Sequence, residues 1–401
     1  MTRIALVRGH HLSKEETVSY ETLKDRFAFS CISTNYPWFD HGDLAFPVQY
    51  LPSVESMFRW LPGGLDRQVF GKLDVLLGTG QYMPGLKGAL RGFDIVHCSD
   101  SCHLFTYQAA RLKRRLQYKL TAIQYENIPF AREEKPLVRW TRPVIYREID
   151  SFFAMSCRAK EALLREGVPE AKIAVIGNGV DTNRFKPDPA ARTEWRRRLG
   201  LDDSHLVVLF VGRLHESKGV FQLVNAAHRL FSLGDEAAHV RFVLAGRGRA
   251  ESALRHHIHR LGLEDRVLLA GGVPHADIHR LHSTADIFVL PSIPIHLWQE
   301  QFGIVLIESM ACGVPVVAAG SGSIPEVVGD AGLLVQTADH VSLADSLLEL
   351  IRNDERRRAL GAAGRRRVEH HFSLPTIGQK LQSAFESVLH GLPFSSELNT
   401  L

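Results

Sequence analysis

Long apolar runs are missing from this 401-residue chain, and no uninterrupted stretch approaches the ~20 residues that a membrane-spanning helix requires. The amino terminus, MTRIALVRGHH, turns polar after one short apolar run, which reads as a first strand rather than a signal peptide. Cysteine is scarce. Cys31, Cys98, Cys102, Cys157 and Cys312 are odd in number, scattered and partly inside apolar strands, so the chain reads as reduced and cytoplasmic. A dominant charge is absent as well: 48 Lys and Arg against 44 Asp and Glu leave a net +4, which argues for no nucleic-acid partner. Low-complexity tracts and internal repeats are lacking. No D-x-D is present to call for a bridging divalent metal. The segment His97-Cys98-Ser99-Asp100-Ser101-Cys102-His103 lacks the C-x2-C or H-x3-H spacing of zinc sites, so no metal is expected. Gly246-Arg247-Gly248-Arg249 follows the strand-like VRFVLAG, but Glu251 stands where a dinucleotide fingerprint needs its third glycine. That removes the basis for nicotinamide chemistry.

What is present is an ordinary globular composition, 45% hydrophobic and 23% charged, in a chain long enough for two or three domains. Short apolar runs alternate with helical patterns, which predicts an α/β architecture with parallel sheets. The first half offers strands at Ile4–Val7, Phe46–Leu51, Phe93–Cys98, Leu120–Ile123, Phe152–Met155 and Ile173–Ile176. The second half offers Val207–Val211, Arg241–Ala245, Val267–Leu269, Ile287–Leu290, Val314–Ala318 and Leu333–Val335. Two Rossmann-like domains follow, with the boundary in the Asn-Gly, proline and charge-rich stretch from Gly177 to Asp203.

Two segments carry chemistry. In EQFGIVLIESMACGVPVV, Glu300 and Glu308 lie eight positions apart, with the turn Phe302-Gly303 between them. A helix starting at Gly303 puts Glu300 at its positive end and Glu308 on its second turn, their carboxyl groups about 10 Å apart at ~1.5 Å per residue. A retaining glycosidase needs about 5–5.5 Å, so the pair does not flank one glycosidic oxygen. It suits an elongated ligand, with hydroxyls at both ends and an anion facing the helix amides between, as in a nucleotide sugar. Upstream, the apolar run Leu206–Val211 leads into GRLHESKG, which delivers Arg213 and Lys218 to the carboxyl edge of a sheet, where open α/β sheets bind ligands. Arg213 can grip phosphate with two prongs and Lys218 adds a point charge. Taken alone, both cations read first as solvated loop residues, and the acidic pair reverses that preference.

GRLHESKG resembles the G-R-L-x3-K-G element, and EQFGIVLIE the E-x7-E element, of the family-4 retaining glycosyltransferases (glycosyl transferases group 1). NGVDTNRF at Asn178–Phe185 and SGSIPEVVGDAGLLV after the acidic pair are similar to further elements in the same order. The resemblance is close over about 170–375. It implies the GT-B fold, with two Rossmann-like domains, a cleft between them and a C-terminal helix of about 374–390 crossing back to the first. The first domain, 1–177 with that helix, would take the acceptor, and the second, 178–373, the nucleotide sugar. It implies a metal-independent, retaining transfer of a hexose from a UDP- or GDP-sugar to a sugar, polyol or lipid-linked glycan, with no cofactor. Arg213 and Lys218 would neutralise the leaving diphosphate and Glu300 would hold the donor sugar. Glu308 would hold the ribose and Val273 would meet the base, unless Gly271-Gly272 before it is simply a tight turn. Gly212, Gly246, Phe302, Gly303 and Ile304 complete the donor side.

Two departures from the family stand out. Glu126 occupies the place where histidine is usual, and Arg8-Gly9-His10-His11 replaces a Gly-Gly pair, leaving Gly9 alone for close backbone approach. His97 and Glu126 are the acceptor-side or sugar-side candidates, with His103 near them. The plainer reading of either histidine is a satisfied structural one. Arg111, Lys113, Arg114, Arg115 and Lys119, interleaved with leucines, are either a solvated helix face or a contact with an anionic membrane. A nucleotide-sugar epimerase of the same fold and a non-catalytic sugar-nucleotide binder are the alternative functions.

Overall fold

The computed structural model describes residues 1–57 and 81–401. Two parallel sheets organise them. The first runs through β1 (Thr2–Val7), β2 (Phe27–Thr34), β3 (Val48–Leu51), β4 (Ile95–Cys98), β5 (Lys119–Gln124), β6 (Ser151–Ala154) and β7 (Ile173–Val175), in the order β3-β2-β1-β4-β5-β6-β7. The second holds β8 (Leu206–Val211), β9 (Val240–Ala245), β10 (Val267–Gly271), β11 (Ile287–Leu290), β12 (Val316–Ala319) and β13 (Leu333–Val335), in the order β10-β9-β8-β11-β12-β13.

The central strands are buried on both faces, which is why they read as near-continuous apolar runs. Side chains alternate at period two. In β1, Ile4 and Leu6 join one core layer with Phe27, Phe29 and Phe153, while Ala5 and Val7 join another with Val96, Phe105 and Leu120. The strand β2 is absent from the sequence reading, because Ser30, Ser33 and Thr34 break its apolar run. Its Ser33 hydroxyl nevertheless donates to the Gly9 carbonyl at 2.8 Å, so the polar side chain is buried at no loss of hydrogen bonding.

The chain divides into two compact units, Met1–Gly179 with Ile377–Leu401, and Val180–Thr376. The helix Leu374–His390 therefore gives most of its length to the first unit. It places Ile377, Leu381, Ala384 and Phe385 against β1 and β2 side chains. Phe385 is fully buried and meets the rings of Tyr20, Phe27, Phe29, His97 and Phe153 at centroid distances of 5.1–6.3 Å.

Each sheet has one point where strand order reverses, between β1 and β4 in the first and between β8 and β11 in the second. Loops leaving the carboxyl ends there diverge and open a crevice, the usual ligand position in such sheets. Phe385→Ala is expected to cost the first unit about 3–5 kcal/mol, measured by denaturant unfolding. A loss below 1 kcal/mol would show that the helix adds little to that core.

Candidate functional site

At the second reversal point, the loop after β8 tightens into a short helical turn, Glu216–Lys218, capped by the His215 ring, whose Nδ1 accepts the Ser217 N–H at 3.1 Å. The turn aims Lys218 at the loop after β11. There Lys218 Nζ pairs with Glu300 Oε2 at 2.6 Å, and the Ser292 hydroxyl donates to the same oxygen at 2.7 Å. The Trp298 ring lies under the ammonium, 4.8 Å from centroid to nitrogen. Glu300 is itself fixed by its backbone, its carbonyl accepting the Ser323 N–H at 2.9 Å. Gly219 is indispensable here. Its φ is +68°, and a Cβ would fall 1.9 Å from the Pro291 carbonyl oxygen, so only glycine lets the two loops approach.

Arg213 stands at the same edge, exposed, and so do Arg247 and Arg249 after β9. After partial burial, Arg249 and then Arg213 are the charges that push the His215 pKa down, so the three lie close together. Lys218 is matched by Glu300, whereas Arg213, Arg247 and Arg249 form no ion pair among the described residues. The edge is thus a bed of positive charge. Beside it begins the helix Ile304–Ala311, whose N-cap Gly303 (φ +87°) supplies no side chain to cover the first amides. Uncapped amides and a positive helix end add to the attraction for an anion.

Glu308, on the second turn of that helix, is buried. His275 Nε2 and His282 Nε2 stand 3.6 Å from its two oxygens. Burial alone would raise its pKa, and the two imidazoles outweigh it and hold the carboxyl at about 2. His275 opens the helix His275–His282, two residues after Val273, so the loop bearing Val273 leads directly to the partner of Glu308. The remaining donor-side candidates lie at strand and helix ends. The Phe302 ring is buried edge-on to Phe372 at 5.7 Å, and Ile304 lies partly exposed at the helix start. The Gly212 N–H donates to the Ala245 carbonyl at 3.0 Å and the Gly246 N–H to the Gly271 carbonyl at 2.7 Å, which ties three strand ends together.

In the first unit the candidates part ways. His97 is wholly buried on β4, with Nε2 bonded to the Tyr20 hydroxyl at 2.8 Å and Nδ1 to the Thr121 hydroxyl at 2.7 Å. Both ring nitrogens are occupied, so its place is structural and no substrate reaches it. It shares that network with Arg8, also fully buried, which donates to the His97 carbonyl at 2.7 Å and to Tyr20 at 3.1 Å. Gly9 (φ +59°) makes room for Gln81, whose Oε1 would lie 1.7 Å from a Cβ there. Glu126 sits after β5, its carboxylate 3.9 Å from Arg132 Nε.

The basic segment is not one helix. Helix Leu104–Leu116 ends at Gln117 in left-handed backbone, and Lys119 and Leu120 belong to β5. Leu112 and Leu116 pack on the core, Lys113 pairs with Asp150 at 2.8 Å and Arg114 with Glu148 at 3.0 Å. Among the described residues no helix is long and apolar enough to cross a membrane, and no group of three or more His, Cys, Asp or Glu is placed to hold a metal ion.

With this geometry in view, the comparisons with known proteins converge. Residues 191–367 match the family described as glycosyl transferases group 1, and residues 64–184 match glycosyltransferase family 4. The chain belongs to the group 1 glycosyltransferases. Among its relatives are a GDP-mannose-dependent alpha-(1-6)-phosphatidylinositol monomannoside mannosyltransferase of Mycobacterium tuberculosis and a D-inositol 3-phosphate glycosyltransferase of Thermobifida fusca. The first is 37% identical over 53% of this chain and 55% of the relative. The second is 34% identical over 56% and 52%. The chain spans about half the length of these curated relatives. The fold matches that of Anabaena HepE, solved in complex with UDP, with a TM-score of 0.78 and 21% identity over 96% of this chain and all of that one. It also matches sucrose-phosphate synthase from Thermosynechococcus elongatus, with a TM-score of 0.72 and 21% identity over 98% of this chain and all of that one. The two parallel sheets are those of a GT-B glycosyltransferase.

Sequence reasoning missed Ser292, Trp298, His275 and His282, whose partners lie far away along the chain. Trp298, an aromatic two residues before Glu300, was the readable signal.

Burial first, and Asp100 second, push the Glu126 carboxyl up to about 7, against the pull of Arg132. A carboxyl that keeps its proton to about 7 when folded, against 4.5 ordinarily, favours the folded chain at low pH and loses that advantage as pH rises through 7. Glu126→Gln is therefore expected to leave the melting temperature near wild type at pH 5 and to exceed it at pH 8. Parallel pH profiles for the two proteins would assign the titration to another group.

Proposed function

We infer that this chain is a retaining glycosyltransferase that moves a hexose from a nucleoside-diphosphate sugar to a hydroxyl acceptor. The observation that carries the reading is the Lys218–Glu300 pair at 2.6 Å set among exposed Arg213, Arg247 and Arg249. A diphosphate brought to this edge meets guanidinium groups with no acidic partner among the described residues, and Lys218 can turn from Glu300 to a phosphate oxygen. Glu300 is then released to accept hydroxyls of the donor sugar. As the sugar–phosphate bond breaks, negative charge grows on the departing diphosphate. Arg213, Lys218 and the amides at Gly303–Ile304 stabilise it where it develops, and such preorganised charge typically contributes 10²–10³-fold per group.

The carboxyl of Glu308, ionised at neutral pH, accepts the ribose hydroxyls. No side chain at this edge stands out as a covalent nucleophile, which favours displacement on one face of the sugar with the leaving diphosphate taking the acceptor proton. The relatives named for GDP-mannose make that donor the first to test, with UDP-glucose second. The acceptor is a sugar, a polyol or a lipid-linked glycan. The five free cysteines are in keeping with a cytoplasmic setting.

A panel of nucleotide sugars in a thermal-shift assay should reveal one that raises the melting temperature, because a ligand selective for the folded chain stabilises it by mass action. Arg213→Ala should lower turnover roughly 100-fold with its own melting temperature within about 2 °C of wild type. A collapse of the melt in Arg213→Ala, or no stabilisation by any nucleotide sugar, would overturn the assignment.

A further inference from the structure

The first sheet carries, at its own reversal point, a cluster that donor binding does not use. The loop after β1 supplies His10 and His11, the loop after β2 supplies Trp38, and His103 precedes the helix Leu104–Leu116 after β4. Trp38 is 59% exposed, yet it is not loose. Its indole stacks on the His10 ring at 3.8 Å and 22°, and meets His11 edge-on at 4.8 Å. The Trp38 backbone N–H donates to the His10 carbonyl at 3.0 Å, and three residues on the His41 ring bonds the Leu12 carbonyl at 3.0 Å. The loop is thus tied down on both sides of the indole, leaving a large aromatic surface fixed in solvent.

Below the histidines lies Gln81, 2% exposed and in left-handed backbone at φ 67°. Its Nε2 stands 3.1 Å from His10 Nε2 and 3.4 Å from His103 Nδ1, while its Oε1 accepts the His10 N–H at 3.1 Å. A non-glycine residue held in so unfavourable a conformation, with its amide spent on two imidazoles, is the kind of strain that concentrates at ligand sites.

The charge of the cluster indicates its ligand. Burial, then the neighbouring His10 and Arg132, lower His11 to about 4, and burial with His11 and Arg132 lowers His103 well below the usual imidazole range. Both rings are neutral at pH 7. Two cations bear on these rings, Arg132 on both and Lys135 on His103, and Arg132 lies 3.9 Å from the Glu126 carboxylate. The indole and the two neutral imidazoles themselves offer a phosphate no charge. An exposed indole edged by neutral imidazoles suits a ring with C–H groups on one face and hydroxyls around its rim.

We propose that Trp38, His11 and His103 form a subsite for an uncharged pyranose, and that the acceptor is accordingly a sugar residue rather than a phosphorylated polyol. The statement about the acceptor rests on the transfer reading above; the subsite itself stands on the first unit alone. Saturation-transfer NMR on the full chain without nucleotide sugar tests it, with methyl α-D-mannopyranoside and methyl α-D-glucopyranoside as neutral probes and myo-inositol 1-phosphate as the charged one. The expected result is a signal from the C–H groups of one face of a neutral glycoside, lost in Trp38→Ala, kept in Trp38→Phe and kept in Arg213→Ala. In the transfer assay Trp38→Ala should raise the acceptor KM at least 10-fold while the thermal shift given by the donor stays at its wild-type value, which also reports that the variant is folded. Preference for the inositol phosphate, a signal indifferent to Trp38→Ala, or no binding of either glycoside would overturn the proposal. Loss of the donor shift in wild type with the glycoside signal intact would overturn only the transfer reading.

Discussion

Every strand pairing described in the two sheets is parallel, and this constraint governs where chemistry can occur. A parallel sheet must be covered on both faces to bury its strands, so its faces are closed to ligands and only the ends of the strands are open. All loops leaving carboxyl ends gather on one edge. The reversal of strand order then separates two of them, β1 from β4 and β8 from β11. Lys218 and Glu300, 82 positions apart, meet because their loops leave the two strands flanking such a gap. His10 and His103 come together through Gln81 for the same reason.

The electrostatics of the second edge are asymmetric by construction. Lys218 and Glu300 are only 15% and 9% exposed at their side chains, so each needs the other. Removing one partner of such a pair typically costs 3–5 kcal/mol, because a charge is left buried and unmatched. Arg213, Arg247 and Arg249 are exposed and solvated, and water meets their needs. The edge therefore keeps one cation in reserve against an acid while presenting others directly. A phosphate that draws Lys218 away gains a short ionic contact and releases a carboxylate in the same movement.

The strands of the second half were legible because each is a short apolar run bounded by turns, and β8, LVVLFV, shows it plainly. The acidic pair and the GRLHESKG element were legible as spacing along one stretch of chain. In contrast, β2 hid behind hydroxyl side chains whose hydrogen bonds run to other loops. His97 looked like a ligand because it lies near the end of a strand at the edge where ligands bind, and its partners Tyr20 and Thr121, 77 and 24 positions away, reveal its structural place. The leucines among the cations at 111–119 carried no mark of the face they take, since the helix ends at Gln117 and the pattern runs on into a strand. The stacking of Trp38 on His10 likewise depends on how two loops meet, which no local pattern records.

The first unit is discontinuous: the chain leaves it at Gly179 and returns at Ile377. During synthesis the second unit, a single uninterrupted segment, has all its strands available while the first still lacks the helix that brings Phe385. Domains generally fold as units in the order they emerge, yet here the amino-terminal one must wait with part of an aromatic layer uncovered. The exposed rings of Phe27, Phe29 and Phe153 are then the surface most at risk of association with other chains.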